Sequence, residues 1–180
     1  WHNIEVEDDV TAYLEFPDGA TGVFVTTTGD APGTNRFEVT LERGKLVCEN
    51  DRLSFYELEV SEREYCYTAT EGFAKPAGHE VALTTDGENP QHVGVLRALA
   101  ANILRGEPLI ARGEEGINGL TLSNAMHLSS WLGKPVDIPF DEDLFLEKLN
   151  ELRKTSRVKE NVQEVTFSTA GSYGTKEETL

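Results

Sequence analysis

The sequence predicts an α+β domain in which strands come first and helices come last. Strand-like apolar runs, some of them alternating with polar residues, occur within the first 60 positions and are separated by short turns, and apolar residues recur every three or four positions after residue 90. Strands joined by such short turns must pair antiparallel, because a parallel crossover needs about a dozen residues. We expect a predominantly antiparallel open sheet with helices packed on one face and the other face available for oligomerisation.

The strand half begins with the alternating run Val10–Phe16, followed by Pro17-Asp18-Gly19, which is typical of a tight turn. The return strand contains Val23-Phe24-Val25, which is apolar on both faces and predicts a central strand covered on two sides. Further strands are predicted in RFEVTL, KLVCEN, RLSFYEL, a weaker run through Glu64–Thr70 and a short run near His79–Thr85.

Three helices are predicted in the second half. QHVGVLRALAANILRG ends at Gly106, EEGINGLTLSNAMHLSSWLG ends at Gly133, and DEDLFLEKLNELR begins with three acids, which favour a helix N-terminus. From Ser156 the composition becomes polar. We therefore expect one domain over residues 1–155 and a partly disordered tail over 156–180, in which only Val162, Val165 and Phe167 suit a short strand.

Composition limits the partners. The formal net charge is −16, which disfavours nucleic acid and anionic membrane surfaces. No apolar run approaches the roughly 20 residues that span a bilayer. Cys48 and Cys66 form no paired motif and lie in strand-like runs, so we expect two buried free thiols and a cytoplasmic protein.

The chain has no convincing catalytic constellation. It contains no G-x-G-x-x-G turn, no phosphate-binding loop, no H-E-x-x-H and no G-x-S-x-G, and no metal site is predicted. Ser123 and His127 share a helix face, but no acid stands at a step that would orient the imidazole, so we interpret His127 as a helix-edge residue beside Trp131. A cation site in Glu5–Asp9 is disfavoured because adjacent strand residues point to opposite faces.

The loop Gly29–Arg36 is the best candidate for function. It is too long for a simple hairpin turn, and Thr34, Asn35 and Arg36 supply the donors and acceptors that a hydroxylated ligand requires. The alternative interpretation is a purely structural Ω-like loop.

Several stretches together resemble the Gfo/Idh/MocA oxidoreductases of bacteria, over about residues 4–155. They are IEVEDDVTAYLEFPDGATGVFVTTTG, APGTNRFEVTLERGKLV, QHVGVLRALAANILRGEPLIARGEEGINGLTLSNAMHLSSWLGKPVDIP and FDEDLFLEKLNEL. The resemblance implies a two-domain dehydrogenase that acts on a secondary alcohol of a sugar, sugar derivative or cyclitol. An upstream domain would bind NAD or NADP and carry the catalytic Lys of an E-K-P motif with an Asp/His pair, so the chain alone is expected to be inactive.

The same resemblance implies roles for residues of this chain. Thr34, Asn35 and Arg36 match a segment that lines the substrate site in inositol-dehydrogenase-like relatives, although those relatives have tyrosines there. His92, Gln91 as a weaker candidate, and His2 at the edge of the matching region are further candidates for substrate contact. The family also implies a homo-oligomer, a dimer or a tetramer, formed through the sheet.

Two other functions stay open. The chain could be a non-catalytic assembly module that pairs through its sheet, which the apolar Val23-Phe24-Val25 favours. It could also be an independent carbohydrate-binding module, although such modules are mostly all-β and the helical second half argues against this.

Overall fold

The structure is a computed structural model that describes residues 4–50, 52–88 and 90–157. Strands precede helices, apart from one short helix, and every strand pairing is antiparallel, which confirms the α+β class. The strands form two sheets where the sequence predicts one. The chain divides into two compact units, Trp1–Gly29 with Asn89–Leu180 (unit 1) and Asp30–Glu88 (unit 2). The single domain over 1–155 stays a prediction, and the predicted strand at Val162–Phe167 lies outside the described residues.

Unit 1 begins with a hairpin of β1 (Asp9–Glu15) and β2 (Thr21–Thr27). The predicted turn between them is confirmed. The Asp18 carboxylate accepts a hydrogen bond from the Ala20 amide at 3.0 Å, and Gly19 has φ of +88°, a left-handed conformation that favours glycine. The chain therefore reverses where its local chemistry dictates.

The prediction that Val23-Phe24-Val25 forms a covered central strand is wrong for this chain. Among the described residues β2 pairs only with β1, and Val23 and Val25 are 69% and 61% exposed. An apolar pattern shows which surface is suited to burial, but the covering element has to come from tertiary or quaternary contacts. The residues of this strand thus remain in solvent in the single chain.

The helices of unit 1 are α2 (Gln91–Arg105), α3 (Gly116–Leu132) and α4 (Glu142–Arg153), with one 3₁₀ turn, Gly113–Glu115, before α3. The predicted ends of the first two are confirmed, because Gly106 and Gly133 both adopt the left-handed C-cap conformation. Helix α3 packs against α4. The buried hydrophobic residues among those described are Ala101, Ala125 and Leu128.

Unit 2 holds a four-stranded sheet in the order β3-β4-β5-β6 and one short helix, α1. Its elements are β3 (Arg36–Leu41), β4 (Gly44–Glu49), β5 (Arg52–Leu58), α1 (Glu62–Thr68) and β6 (Gly78–Val81). Gly44 and Gly78 fit tightly in this sheet, since a Cβ at either position would lie 2.3 Å or 2.4 Å from a carbonyl oxygen of β5. Only glycine allows the strands to approach so closely.

Two local predictions in unit 2 are wrong. Most of the segment Glu64–Thr70, which was predicted as a strand, lies in helix α1. The Ser61 hydroxyl caps this helix by accepting a hydrogen bond from the Glu64 amide at 3.1 Å. The thiols of Cys48 and Cys66 are both exposed, and Cys66 lies in α1 rather than in a strand. A Ser-x-x-Glu pattern at 61–64 was the sequence signal for this helix.

Candidate functional site

The loop before β3 presents uncommitted polar groups. The Thr34 and Asn35 side chains are exposed and have no hydrogen-bond partner within the described part of the chain. Gly33, just before them, has φ of +77°, which a side chain there would strain. Side chains without an internal partner are free to bind solvent or a ligand, as the sequence predicts for this loop.

Arg36, the third candidate of this loop, is already engaged. Its guanidinium donates to the Glu38 carboxylate through two nitrogens and to Glu49 at 2.7 Å, and Lys45 lies 2.6 Å from the other Glu38 oxygen. The Glu38 contact, followed by Glu49, raises the pKa of Arg36, and Lys45 and Arg36 lower that of Glu38. These charges stabilise one another on one face of the sheet.

Gln91 and His92 open helix α2. Both side chains are exposed, and neither makes a hydrogen bond to another described residue. Gln91 has φ of +46°, a left-handed conformation that non-glycine residues rarely adopt and that costs about 1 kcal/mol or more. Such strain is most common at functional positions, which makes this helix start a better candidate than its sequence alone suggests.

The two groups of candidates belong to different units, Thr34-Asn35-Arg36 to unit 2 and Gln91-His92 to unit 1. The substrate-binding role of each group stays a prediction. His2, the further candidate, lies outside the described residues.

A contact that the sequence did not indicate joins the start of the chain to helix α3. The His127 Nε2 lies 3.1 Å from a Glu7 carboxylate oxygen, and its Nδ1 lies 2.8 Å from the Ser123 carbonyl oxygen. Glu7 and His127 are 120 positions apart, so no local spacing signals the pair. Because both ring nitrogens are occupied and the Ser123 contact is to its carbonyl, this is not a nucleophile–base pair.

The His127 ring lies beside a cluster of aromatic rings from α3 and the α4 region. Its ring centroid is 5.7 Å from that of Trp131, which stacks on Phe145 of α4 at 5.3 Å, and Phe140 lies 5.9 Å from Phe145. The interpretation of His127 as a helix-edge residue beside Trp131 is therefore confirmed. The cluster contributes to the contact between α3 and α4.

No other feature of the described residues forms a better site. A shallow depression lined by Arg112, Glu114, Glu115 and Asn118 contains an internal Arg112–Glu114 ion pair at 3.2 Å. Among the described residues, no group of three or more His, Cys, Asp or Glu side chains could hold a metal ion. The acidic run is used internally, since Glu5 accepts from the Arg157 amide at 3.1 Å and Glu7 contacts His127.

The described strands do not form a dinucleotide-binding unit. All their pairings are antiparallel, whereas such a unit needs two parallel strands joined through a glycine-rich turn and a helix. The described residues therefore do not fit NAD or NADP. In addition, no helix of the described residues is long and apolar enough to cross a membrane.

The four-stranded sheet has two unlike faces. The register places charged residues on one face, namely Arg36, Glu38, Lys45, Glu49, Arg52 and Glu80. Successive residues of a strand point to opposite faces, so the intervening rows form the other face. These rows contain Phe37, Cys48 and Leu53 side by side, and Phe37 and Leu53 are 69% and 44% exposed.

The start of the chain matches the model of a known family. The family model of the GFO/IDH/MocA C-terminal domain matches residues 1–47, which is 47 of the 180 residues. No curated protein matches the chain. The matched segment contains β1, β2, β3 and most of β4, together with the loop that carries Thr34 and Asn35. The predicted family resemblance is confirmed by this match.

Proposed function

We propose that this chain is the substrate-binding domain of an NAD(P)-dependent dehydrogenase. The proposal starts from the match of residues 1–47 to the GFO/IDH/MocA C-terminal domain family. The family is one of oxidoreductases. The proposed substrate is a secondary alcohol of a sugar, sugar derivative or cyclitol. The match over residues 1–47 is the observation that carries the proposal.

The role proposed for the chain's own residues is binding and orientation. A neutral polyol is recognised mainly by hydrogen bonds, and the Thr34 and Asn35 side chains have no internal partner among the described residues. The same holds for Gln91 and His92. Arg36 would act differently, since its guanidinium is already held by Glu38 and Glu49 and would offer only its remaining N–H groups.

Hydride transfer belongs to the nucleotide, which we place on a part of the enzyme outside the described residues. When bound, the nucleotide supplies the redox chemistry. The hydroxyl proton would be handled by the Lys and His that the family resemblance puts upstream, in a general acid–base role. This domain would hold the substrate carbon in register with that chemistry.

The test uses the full-length enzyme with Asn35→Ala and His92→Ala. Each variant removes one proposed hydrogen bond to substrate, worth about 1 kcal/mol, so kcat/KM for the polyol should fall about threefold to tenfold. The dissociation constant of the nucleotide should not change. Steady-state kinetics and nucleotide titration measure the two effects separately.

A matched control keeps the comparison fair. Asn118→Ala removes an exposed asparagine of α3 that is not a proposed substrate residue, and it should retain normal kinetics. Unchanged kcat/KM in Asn35→Ala and His92→Ala would remove these residues from the site, and absence of any nucleotide-dependent oxidation of polyols would remove the enzyme assignment.

A second role, pairing with another copy of this chain, is favoured by the apolar face of the four-stranded sheet. Exposed large side chains such as Phe37, Leu53 and Leu41 (42% exposed) lie on this face, while the opposite face is charged. Contiguous apolar surface on a soluble protein usually marks an interaction site. We place the homo-oligomer contact here, and the β2 residues Val23-Phe24-Val25 are the alternative surface.

The two cysteines provide a native probe of this contact. Both thiols are exposed in the single chain, but only Cys48 lies between Phe37 and Leu53. In the assembled enzyme we expect maleimide to label Cys66 quickly and Cys48 slowly, and Phe37→Asp to yield monomers in light scattering and to restore Cys48 labelling. This placement is overturned if the wild-type enzyme is monomeric. It is also overturned if the Phe37→Asp variant stays oligomeric while its Cys48 reacts with maleimide.

The carbohydrate-binding alternative has its own measurement. Calorimetric titration of the isolated chain with sugars would reveal micromolar binding if the chain were an independent module. We expect no such binding, because the proposed site is completed by the rest of the enzyme.

A further inference from the structure

We propose that the end of the loop at Thr34–Arg36 selects neutral substrates over anionic ones, because Glu38 and Glu49 neutralise its single cation. The inference rests on the proposed function, since it narrows the class of sugar that this loop would bind. It makes Glu38 and Glu49 positioning residues that act on the substrate through Arg36. All of these residues lie in unit 2.

Arg36 is the one positive charge of the loop Gly29–Arg36, which also contains the acid Asp30. It directly follows Thr34 and Asn35, whose side chains have no partner among the described residues. A free guanidinium at this position would attract a carboxylate or a phosphate, because it offers parallel N–H groups to two oxygens. The charge of the substrate that this loop accepts therefore depends on what the guanidinium already contacts.

The Arg36 guanidinium is occupied on two sides. Its Nε and Nη2 both donate to one oxygen of Glu38, with the Nε contact at 3.1 Å, and its Nη1 donates to Glu49 at 2.7 Å. The register explains these contacts, since Arg36 lies opposite Glu49, and Glu38 follows on the same face of β3. An incoming carboxylate could use only the remaining N–H of each Nη group, and it would approach two carboxylates that are already bound there.

Lys45 completes a group with no net charge. Its Nζ lies 2.6 Å from the other Glu38 oxygen, so two cations and two carboxylates form one chain of contacts. Contact with Lys45, followed by Arg36, lowers the pKa of Glu38, which keeps this carboxylate ionised at neutral pH. The group therefore offers a neutral polyol a polar surface without the excess positive charge that would attract an anion.

The charge of the whole chain acts in the same direction. A formal net charge of −16 disfavours the approach of anions and has little effect on an uncharged sugar. The expected substrates are therefore uncharged sugars or cyclitols, and the disfavoured ones are uronates and sugar phosphates.

The test compares sugars that differ in charge at one carbon, in the full-length enzyme. Glucose and galactose have a hydroxymethyl group where glucuronate and galacturonate have a carboxylate. In the wild type we expect kcat/KM to be at least about tenfold higher for the neutral member of a pair. In the double variant Glu38→Gln/Glu49→Gln this ratio should fall about tenfold, through a lower KM for the uronate, because the freed guanidinium gains a charge-assisted hydrogen bond.

Two further variants separate this effect from a general change of charge. Glu42→Gln removes a carboxylate from the turn at the opposite end of β3, where Glu42 lies 4.0 Å from Arg63, and it should leave the ratio unchanged. Glu38→Asp keeps the charge and should retain the selectivity. An equal ratio in the wild type and the double variant, or an equal change in Glu42→Gln, overturns the proposal.

A binding measurement on the same enzyme does not depend on turnover. On titration with glucuronate, the ¹⁵N NMR resonance of the Arg36 Nε–H group should stay in place in the wild type and should shift in a saturable manner in the double variant. Glu49→Gln alone, which leaves the contact between Glu38 and Lys45, replaces the double variant if the latter does not fold. A shift in the wild type, or no shift in either variant, overturns the proposal.

The two measurements distinguish this inference from the proposed function. If the enzyme oxidises no sugar or cyclitol at all, the proposed function fails, and the titration alone decides the charge selectivity. If it oxidises a uronate as readily as the matching neutral sugar, the proposed function stands and the selectivity is overturned.

Discussion

Helices α2 and α3 of unit 1 both have apolar residues at three- and four-residue steps, but these residues are covered to different extents. Leu128 of α3 is 1% exposed, whereas Leu96 and Ile103 of α2 are 66% and 72% exposed. Helix α3 packs against α4, with Trp131 stacked on Phe145, while α2 presents its apolar side chains to solvent. Amphipathic spacing predicts that a helix forms and which face is suited to burial, but it does not say what covers that face.

The largest expected effect tests this difference directly. Leu128→Ala removes the most deeply buried side chain of α3, so we expect the free energy of unfolding to fall by about 3 kcal/mol. Leu96→Ala in α2 is the control, with an expected loss below about 0.5 kcal/mol in this chain by itself. Urea unfolding of both variants measures the two values, and equal losses would mean that α2 is covered as well.

The second effect concerns how the helices begin. The Asp141 carboxylate caps α4 by accepting from the Leu144 amide at 3.0 Å, whereas α2 starts at Pro90 without a side-chain cap. Asp141→Ala should cost about 1 kcal/mol of stability. Asp141→Asn, which keeps an acceptor, should cost much less. Thermal unfolding of the two variants measures the loss of stability. A similar loss in Asp141→Ala and Asp141→Asn would contradict the capping role of Asp141.

A smaller effect is expected from replacing one glycine in each of the helices α3 and α2. A Cβ at Gly119 of α3 would meet nothing within 4 Å, so Gly119→Ala should stabilise the protein by about 0.5 to 1 kcal/mol. A Cβ at Gly94 of α2 would lie 2.7 Å from the Pro90 ring, and Gly94→Ala should give none of that gain. Equal stabilisation by both substitutions would show that the start of α2 adapts easily.

The smallest effect is a pH dependence at the start of unit 1. Hydrogen bonds from the Ser156 hydroxyl and the Arg157 amide lower the pKa of Glu5 below its ordinary 4.5. The stabilisation from Glu5 is therefore complete above that value and is lost as the pH falls through the lowered pKa. The difference in unfolding midpoint between wild type and Glu5→Gln should be small, and should shrink between pH 5 and pH 3. A Glu5→Gln difference that stays constant from pH 6 to pH 3 would contradict the Glu5 assignment.

Of the candidate site, sequence reasoning identified the loop around Thr34 and Asn35, because long loops rich in polar side chains are recognisable locally. It did not identify the engagement of Arg36 by Glu38 and Glu49, which depends on strand register. It also did not identify the Glu7–His127 contact, which joins residues 120 positions apart.

The sequence by itself determined the α+β class, the turn at Asp18-Gly19 and the helix ends at Gly106 and Gly133. Each of these depends on side chains within a few residues of one another, so local chemistry is sufficient. Only the tertiary structure decided that the strands form two sheets, that the segment after Ser61 is a helix and that β2 is exposed. Those outcomes depend on which distant segments meet, and contacts of that kind leave no periodic trace in the chain.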